Sequence, residues 1–552
     1  ACRQTGARFS NNKQQGQDMY REGVPMANTA RVTYEGGLHI DYPREYNAAA
    51  DFIDIHLSRG DGDRIAVIDV GGRYTYRELA EQVNRAGNML RDLGLPSESR
   101  VFLCMLDTVE LVAMFWGAIK AGYVPIPVNT LLTTHDYDYM LSDSRARVAV
   151  ISAPLWDRFD SIVADKPELK DVFVSGGETP AAARSLAVAM SNAGAELDYA
   201  PTTCDDVAFW LYTSGSTGAP KGAMHLQRDL VYTAASYGTQ VLEICADDVV
   251  FSAAKLFFAY GLGNGMTFPL YVGATAVLLD GRPTPESVMD ILKTHQPSIF
   301  YGVPTLYGAM LADENVTPAN GSSRLRRCVS AGEALPKAVA EGWFDRFGVE
   351  ILDGIGTTEI LHIFLSNRAG EVRHETSGVA VPGYALRLED DDGRECGVDE
   401  VGELLVSGGS VAVAYWNQRE RSIATFQGPW TRTGDKYTVD ADGYYHYCGR
   451  TDDMLKVSGI WVSPFEVESA LISHEAVVEA AVVGQEDDAK LVKPKAFVVL
   501  GVGADGDAAM VETLKNHVKA TLAPYKYPRW VEFVDELPKT ATGKIQRFKL
   551  RT

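Results

Sequence analysis

The sequence contains no long apolar stretch that is free of charge. A membrane-spanning helix needs about 20 predominantly apolar residues, and the best candidate, residues 109–128, is interrupted by Glu110, Lys120 and two prolines. The N-terminus also lacks the basic and then apolar layout of a secretory signal peptide. We therefore expect no membrane partner, and we predict a cytoplasmic location.

Cysteine is sparse, and positive charge is in deficit. The seven cysteines are odd in number, scattered and never in a CxxC pair, which argues against a disulfide framework or a zinc site and suits a reducing compartment. The 52 lysines and arginines face 73 aspartates and glutamates, so the net charge is −21. Phosphate backbones would repel such a chain, and nucleic acid is not expected as a partner. A few local groups can still hold a small anion.

Strands and helices alternate along most of the 552 residues. The apolar run 101–106, the helical spacing of 109–121 and the apolar run 124–128 predict a strand, a helix and a strand, and similar units recur, among them a strand at 207–212. This alternation predicts an α/β fold with largely parallel sheets covered by helices. The length predicts two to four structural units, and the share of hydrophobic residues, 46%, is typical of a globular protein.

The chain divides into three predicted parts. Residues 1–30 are polar and aperiodic, so we predict a disordered leader or an artificial extension. Residues 31–451 are predicted to form a large N-terminal domain of several subdomains, with a small β-region marked by the hairpin signal Asp442-Gly443. Residues 452–552 are predicted to form a small C-terminal α/β domain.

The most informative stretch is a loop behind a strand. Residues 212–222 read Tyr-Thr-Ser-Gly-Ser-Thr-Gly-Ala-Pro-Lys-Gly and follow the apolar run 208–211. Glycines let the backbone approach a ligand closely, and hydroxyls, free amides and a lysine can bind phosphate oxygens. The spacing is not that of a Walker A loop, and a flexible linker seldom has so many hydroxyls directly behind a buried strand. The predicted phosphate-binding residues are Thr213, Ser214, Gly215, Ser216, Thr217, Gly218 and Lys221.

This loop resembles the phosphate-binding signature of the adenylate-forming superfamily, which contains acyl-CoA synthetases, luciferases and the adenylation domains of peptide synthetases. Four further stretches resemble other elements of that superfamily, in the same order: residues 353–359, 431–435, 449–459 and 538–545. The resemblance covers about residues 45–551. It implies a reaction in two steps. A carboxylate first joins the α-phosphate of ATP in the presence of Mg²⁺, and the acyl group of the resulting acyl-adenylate is then transferred to the thiol of coenzyme A.

The resemblance also implies roles for individual residues. Glu359, preceded by Thr358 in the catalytic Thr-Glu element, would hold Mg²⁺. Asp435 would accept hydrogen bonds from the ribose, and Arg450 would bind ribose or phosphate. Lys544 would contact both the carboxylate and the α-phosphate. Without the resemblance, the simpler interpretation of Glu359 is a surface carboxylate, and that of Asp435 is a turn residue. Arg450 would then be a salt-bridge partner, and Lys544 would be a solvated lysine. The other implied nucleotide-binding residues are Gly332, Glu333, Ala334, Asp353, Gly354, Ile355, Gly356 and Thr357.

In this superfamily a small, mobile C-terminal domain rotates between two half-reactions. The resemblance implies that Asp452 is the hinge, and hinges are a few residues that absorb a large dihedral change. It also implies that Ser458 and Gly459 line the channel for coenzyme A. A small residue such as Gly459 would let the pantetheine pass close to the backbone.

Residues 254–264 lie where the superfamily places its acid pocket. Their aromatic rings and glycines suggest a narrow slot for a flat ring, and a packed core segment is the alternative. The stretch is similar to that of benzoate–CoA ligases and implies an aryl acid. We assign no role to His225 or His362, because a carboxylate is already ionised near neutral pH and needs no general base. The implied pocket residues are Ala259, Tyr260, Ala331, Gly332, Gly354, Ile355 and Gly356.

Two alternatives stay open beside an aryl-CoA ligase of the benzoate type. One is an adenylation enzyme that delivers the acyl group to a carrier-protein thiol. The other is a nucleotide-binding regulator without catalysis, which should lack Lys544 or Glu359, and both residues are present. The sequence leaves the ring substituents open, and a homodimer is expected only from the family.

Overall fold

The structure is a computed structural model, and it describes residues 28–213, 219–451, 453–457, 460–487, 491–501, 503–539 and 545–551. The strands in these ranges are β1 Arg31–Thr33, β2 His39–Asp41, β3 Ile65–Asp69, β4 Gly72–Thr75, β5 Arg100–Cys104, β6 Val124–Pro127, β7 Val148–Ser152, β8 Asp171–Ser175, β9 Arg184–Ser185, β10 Val207–Thr213, β11 Lys221–Leu226, β12 Val249–Ser252, β13 Thr275–Val277, β14 Ile299–Gly302, β15 Arg327–Ser330, β16 Ile351–Gly356, β17 Ile363–Ser366, β18 Val379–Ala380, β19 Ala385–Glu389, β20 Gly402–Ser407, β21 Ala414–Tyr415, β22 Phe426–Gln427, β23 Trp430–Val439, β24 Tyr445–Arg450, β25 Leu455–Val457, β26 Ile460–Val462, β27 Val477–Glu486, β28 Val492–Leu500 and β29 Trp530–Phe533.

The α-helices in the same ranges are α1 Ile55–Ser58, α2 Tyr76–Asp92, α3 Val109–Lys120, α4 Thr134–Ser144, α5 Leu186–Asn192, α6 Gln227–Thr233, α7 Ala259–Leu262, α8 Phe268–Val272, α9 Pro285–His295, α10 Pro304–Ala312, α11 Lys337–Phe347, α12 Arg419–Thr425, α13 Pro464–Ile472 and α14 Ala508–Thr521. Shorter 3-10 or π-helical turns lie at Ala50–Asp54, Ala153–Arg158, Val163–Asp165, Ala234–Gly238, Gly263–Thr267, Pro318–Asn320, Thr358–Ile360, Pro524–Lys526 and Arg547–Lys549.

Two largely parallel sheets form the centre of the chain before β24. The larger runs in the order β18-β17-β16-β15-β14-β12-β13-β3-β4, and its strands from β16 to β3 are all parallel. The strands β4, β17 and β18 join antiparallel at its edges. The smaller sheet runs in the order β6-β5-β7-β8-β9 and is parallel throughout. The predicted α/β fold is therefore confirmed.

The sequence explains why these strands are central and which helices cover them. Most side chains of β5 and β7 are apolar and buried, as expected for strands whose two faces both meet protein. Helix α2 begins with a capping box between Thr75 and Glu78, and α3 is buried on nearly all sides. Both helices share one hydrophobic core with strands of both sheets, including Val67 of β3 and Val148 of β7.

A separate antiparallel sheet, β10-β11-β21, flanks the predicted phosphate loop. The strand that the sequence predicts at 207–212 belongs to this sheet and not to a parallel one. The reason is the short connection: only residues 214–220 separate β10 from β11, whereas parallel strands need a crossover of about a dozen residues or more.

Two smaller units complete the chain. The small β-region consists of β19, β20, β22, β23 and β24, and its last two strands are the predicted hairpin, which turns at Gly443 with a φ of 84°. After it, β27, β28 and β29 form a sheet beside the β25-β26 pair, and α13 and α14 share a second hydrophobic core with these strands. No helix within the described ranges has both the length and the apolar character needed to cross a membrane.

The predicted domain boundaries stay predictions. Asp452, the predicted hinge, falls between β24 and β25 and outside the described residues, as do residues 1–27 of the predicted leader.

Gly117→Ala is expected to destabilise the protein by about 2 kcal/mol. Helices α2 and α3 touch backbone to backbone here: an added Cβ atom would lie 2.7 Å from the carbonyl oxygen of Val83 and 2.8 Å from the amide nitrogen of Gly87. The matched control is Gly308→Ala in α10, where no atom lies within 4 Å of the added Cβ and a gain of up to about 1 kcal/mol follows from helix propensity. Thermal unfolding followed by circular dichroism measures both; equal melting of Gly117→Ala and the native protein would contradict the close packing.

Candidate active site

The carboxyl ends of β12, β14, β15 and β16 lie at one edge of the large sheet, because these strands are parallel. Ligands of open α/β sheets bind at such an edge. The segments that leave these strands contain predicted site residues: α7 follows β12, residues 331–334 follow β15, and the turn at 357–360 follows β16. The topology thus brings the predicted acid pocket and much of the predicted nucleotide site to the same edge.

Tyr260 anchors α7 to two neighbouring strands. Its hydroxyl is shared between two main-chain acceptors, the carbonyl oxygens of Gly302 at 3.1 Å and Val329 at 3.2 Å. Its ring stands perpendicular to that of Tyr301, with centroids 6.5 Å apart. The preceding residue, Ala259, is half-buried beside it. An aromatic frame of this kind can hold a flat ring.

His362 lies beside the same frame. Its Nε2 donates to the carbonyl oxygen of Tyr260 at 3.3 Å, and its ring packs against those of Tyr237, Tyr260 and Phe268. Burial lowers the pKa of His362 to about 3, so the imidazole is neutral at physiological pH. The main chain of His362 explains the glycine at position 356, since a Cβ atom there would lie 2.5 Å from the carbonyl oxygen of His362.

The turn that contains Glu359 is fixed from two sides. The Glu359 carbonyl accepts from the Ala412 amide at 2.8 Å, and its carboxylate Oε1 accepts from the Tyr415 hydroxyl at 2.6 Å. The ammonium of Lys221, at the start of β11, lies 4.4 Å from the centre of the Tyr415 ring. Burial lowers the pKa of Lys221, and the nearby Glu359 carboxylate opposes part of this effect.

His225 joins β11 to the same turn. Its Nδ1 lies 2.9 Å from a carboxylate oxygen of Asp229, and its Nε2 lies 2.8 Å from the carbonyl oxygen of Thr358. The pair is fully buried, and burial raises the pKa of Asp229. Through these contacts, His225 and Asp229 hold Thr358 at a fixed distance from β11, the strand that begins at Lys221. Glu359, the next residue, is held with Thr358. This arrangement gives His225 a supporting contact with the turn that contains Glu359.

Asp435 and Arg450 face each other across β23 and β24. Arg450 Nη1 lies 3.1 Å from Asp435 Oδ1 and 3.1 Å from the carbonyl oxygen of Thr433. Asp435 is buried, and its charge raises the pKa of Arg450 further above its usual range. The two predicted ribose-binding residues therefore form an ion pair, and a nucleotide would meet them as a unit.

The remaining described nucleotide-site residues follow β15 or belong to β16 and the turn after it. Asp353, Gly354, Ile355 and Gly356 end β16. Burial raises the pKa of Asp353 to about 8, so its carboxyl is protonated at neutral pH. After β15 come Ala331, Gly332, Glu333 and Ala334; after β16 come Thr357 and Thr358.

Several predicted site residues lie outside the described residues, and they are Ser214, Gly215, Ser216, Thr217, Gly218, Asp452, Ser458, Gly459 and Lys544. Their described neighbours fix where two of these segments start and end. Thr213 pairs with Lys221 across β10 and β11, so the ends of the predicted phosphate loop adjoin. Lys539 and Ile545 likewise form a bridge at the two ends of the segment that contains Lys544.

Sequence reasoning missed Tyr415. Its hydrogen bond spans 56 positions along the chain, and no periodicity or motif signals such a contact. An aromatic residue in a strand as short as β21 is an ordinary packing residue as far as the sequence alone can tell.

Comparison with known proteins identifies the family. Residues 56–416 match the family described as AMP-binding enzyme, and residues 466–544 match the AMP-binding enzyme C-terminal domain. The chain belongs to the AMP-binding enzyme family. The superfamily resemblance found in the motifs is thereby confirmed, and Lys544 is the last residue of the second match.

Individual members of the AMP-binding family are similar over nearly their whole length. A benzoate–CoA ligase of Thauera aromatica is 59% identical over 515 residues, which are 93% of this chain and 97% of that protein. A 4-hydroxybenzoate–CoA/benzoate–CoA ligase of Rhodopseudomonas palustris is 50% identical, over 92% of this chain and 94% of its own. The crystal structure of a benzoate CoA ligase from Burkholderia xenovorans LB400 superposes with a TM-score of 0.85 at 49% identity, covering 92% of this chain and 100% of that one.

Asp353→Asn is expected to stabilise the protein increasingly as pH rises from 5 to 8. The pKa of this carboxyl is about 8 in the folded chain and about 3.9 in the unfolded chain. At a pH between these two values, the carboxyl holds its proton only in the folded chain. Native stability therefore falls with rising pH, by at most about 1.4 kcal/mol per pH unit, whereas the amide does not titrate. Melting temperatures at each pH measure the gap, which should widen by about 1–2 °C per pH unit.

The control for this change is Asp290→Asn, on the exposed surface of α9. It should follow the native protein at every pH. If Asp353→Asn and the native protein lose stability in parallel between pH 5 and pH 8, Asp353 does not hold a proton in the folded state.

Proposed function

We propose that this protein is a benzoate–CoA ligase, which converts benzoate, ATP and coenzyme A to benzoyl-CoA, AMP and diphosphate. The observation that carries the proposal is the 59% identity, over 93% of the chain, to the Thauera aromatica protein of that name. The frame around Tyr260 supports an aryl acid, because aromatic walls with few polar groups favour a flat apolar ring.

The first half-reaction forms benzoyl-adenylate. A carboxylate oxygen of benzoate attacks the α-phosphorus of ATP, and the bond from that phosphorus to the diphosphate oxygen breaks. Both reactants are anions, so the site must supply positive charge and hydrogen-bond donors where charge develops. We assign this task to Lys544, which would contact the carboxylate and the α-phosphate, and to Lys221 with the loop 213–218, which would bind the other phosphates.

The nucleoside part of ATP would lie along the ends of β15 and β16. Gly332, Glu333 and Ala334 would face adenine, as would the stretch 353–357. The Asp435–Arg450 pair supports ribose binding, because the carboxylate can accept from ribose hydroxyls while the guanidinium neutralises it and donates to phosphate.

The residues around Glu359 fit a magnesium ion. Magnesium is usually held by one or two carboxylates together with substrate phosphates and water. Within the described part of the chain no cluster of three metal-binding side chains occurs, but one carboxylate is enough when ATP supplies the other ligands. Glu359 would hold the ion beside the phosphates of ATP, where it would supply positive charge. Tyr415 occupies Oε1 of Glu359, which leaves the Oε2 side for the cation.

The second half-reaction transfers the acyl group. The thiol of coenzyme A gives up its proton, its sulfur attacks the benzoyl carbon, and the bond to AMP breaks with the electron pair leaving on AMP. Forming the adenylate first replaces hydroxide, a poor leaving group, with AMP. We assign residues 31–451 to the adenylation domain and 452–552 to a lid that rotates about Asp452, with Ser458 and Gly459 lining the channel for coenzyme A.

We further propose that the protein works in the cytoplasm and assembles as a homodimer. Six cysteines in the described ranges form no disulfide, which is consistent with a reducing compartment.

Lys544→Ala is expected to slow benzoate-dependent diphosphate exchange by about 100-fold or more, because one stabilising cation is removed from the transition state. Thioester formation from added benzoyl-adenylate should change far less, since Lys544 has no part in the second half-reaction. The two rates are measured separately on the native protein and the variant, with benzoate, hydroxybenzoates and aminobenzoates as acids.

Lys549→Ala is the matched control, because Lys549 is exposed in the same C-terminal segment; it should keep both rates. Exchange without thioester formation in the native protein would favour delivery to a carrier protein. No exchange with any acid, or an unchanged rate in Lys544→Ala, would contradict the ligase assignment.

A further inference from the structure

Tyr415 contacts the two charged groups that the proposed function places at the phosphates. Its hydroxyl donates to Glu359 Oε1 at 2.6 Å, and its ring faces the Lys221 ammonium at 4.4 Å. A hydrogen bond to a carboxylate of this length is typical of a charge-assisted contact, and an ammonium over an aromatic face is attracted by the ring. One buried side chain, 4% exposed, therefore touches both the acidic and the basic group.

The backbone holds Tyr415 firmly in this place. As part of β21 it is paired with Ala223 of β11, two positions after Lys221, and the next amide, that of Trp416, donates to the carbonyl oxygen of Gly222 at 2.8 Å. The Tyr415 ring also packs against Phe426, with centroids 5.2 Å apart. Tyr415 is thus attached to the same strand that carries Lys221.

The other end of the contact is equally fixed. The segment 410–416 binds the backbone of the Glu359 turn through the Ala412 amide, which donates to Glu359, and the Ser410 hydroxyl, which donates to Ile360 at 2.8 Å. The hydroxyl of Tyr415 therefore meets Glu359 Oε1 at a set position, and the Glu359 side chain is held on that side.

The physical need for such a contact is clear from the charges. A glutamate side chain has three rotatable bonds, and a lysine has four, so two oppositely charged groups on adjoining elements can swing together into an ion pair. That pair would compete with a cation for the carboxylate and with phosphate for the ammonium. Groups that are held in position before the ligand arrives do not form this competing ion pair.

We propose that Tyr415 is a positioning residue that keeps Glu359 and Lys221 apart and directs them side by side toward the phosphates of magnesium-bound ATP. The inference rests on the proposed function in taking Glu359 as the magnesium carboxylate and Lys221 as a phosphate-binding residue. The hydroxyl holds one carboxylate oxygen and so turns the other toward the cation, while the ring supports the ammonium without neutralising it.

The decisive variant is Tyr415→Phe, which removes the hydroxyl and keeps the ring. The expected result is a Mg²⁺ concentration for half-maximal adenylate formation that rises about tenfold, as is usual when a residue that orients a metal ligand is lost. The KM for benzoate and the rate of thioester formation from added benzoyl-adenylate should stay within about twofold of the native values, since neither depends on the orientation of Glu359. A general loss of structure would change all three quantities: the Mg²⁺ dependence, the KM for benzoate and the rate of thioester formation.

A binding measurement tests the same point without catalysis. Isothermal titration calorimetry compares ATP binding in Mg²⁺ with ATP binding in EDTA. The native protein should bind more tightly with Mg²⁺, and Tyr415→Phe should lose about tenfold of this advantage while binding ATP in EDTA as the native protein does. This measurement contains no aryl acid, so it remains readable even if benzoate proves not to be a substrate.

The matched control is Tyr384→Phe. Its hydroxyl is also buried and bonds Ser410 of the same segment, at 2.7 Å, but it does not touch Glu359. Tyr384→Phe should keep the native Mg²⁺ dependence in both measurements. A native Mg²⁺ dependence in Tyr415→Phe, or the same shift in Tyr384→Phe, would overturn the proposal.

Discussion

The structure depends on the parallel pairing of β12, β14, β15 and β16. Parallel strands run in one direction, so all four end at the same edge, and the chain must leave each of them there. Residues that are far apart in sequence, such as Tyr260 and Glu359, are brought to one place by this constraint alone. The packing that supports it comes from helices α2 and α3, which join the two parallel sheets in one hydrophobic core.

The charged groups of the site are arranged in pairs with a neutral or opposite partner. Asp435 is paired with Arg450, His225 is set against Asp229, and Glu359 is bonded to the hydroxyl of Tyr415. Each partner reduces the cost of keeping a polar group away from water. In a chain with a net charge of −21, these local arrangements, and not the overall charge, determine where an anion can bind.

The sequence was informative where a physical signal is local. The apolar runs of β5 and β6, the helical spacing of α3 and the Asp442-Gly443 turn each arise from neighbouring residues, and the structure has these elements where they were expected. The superfamily was recognisable because its motifs are short, ordered and rich in unusual residue types, and the family match confirms it.

What the sequence could not indicate is which distant groups meet. The antiparallel pairing of β10 follows from a loop whose length is short, but the partners of Glu359 and Thr358 depend on how separate sheets are packed. Tyr415 and His225 have no pattern that distinguishes them from packing residues. The protonation of Asp353 likewise follows from burial, which a lone aspartate in a sequence does not reveal.

The anchoring of Tyr260 has a consequence for how this protein can change over evolution. Its hydroxyl is bonded to two main-chain carbonyl groups, and main-chain atoms are the same whatever side chains surround them. The frame of the predicted pocket is therefore insensitive to substitution at its lining. In the proposed function, small residues such as Ala259 and Ala331 could be exchanged one methyl group at a time, so that selection would alter the accommodated ring while the position of Tyr260 stays the same.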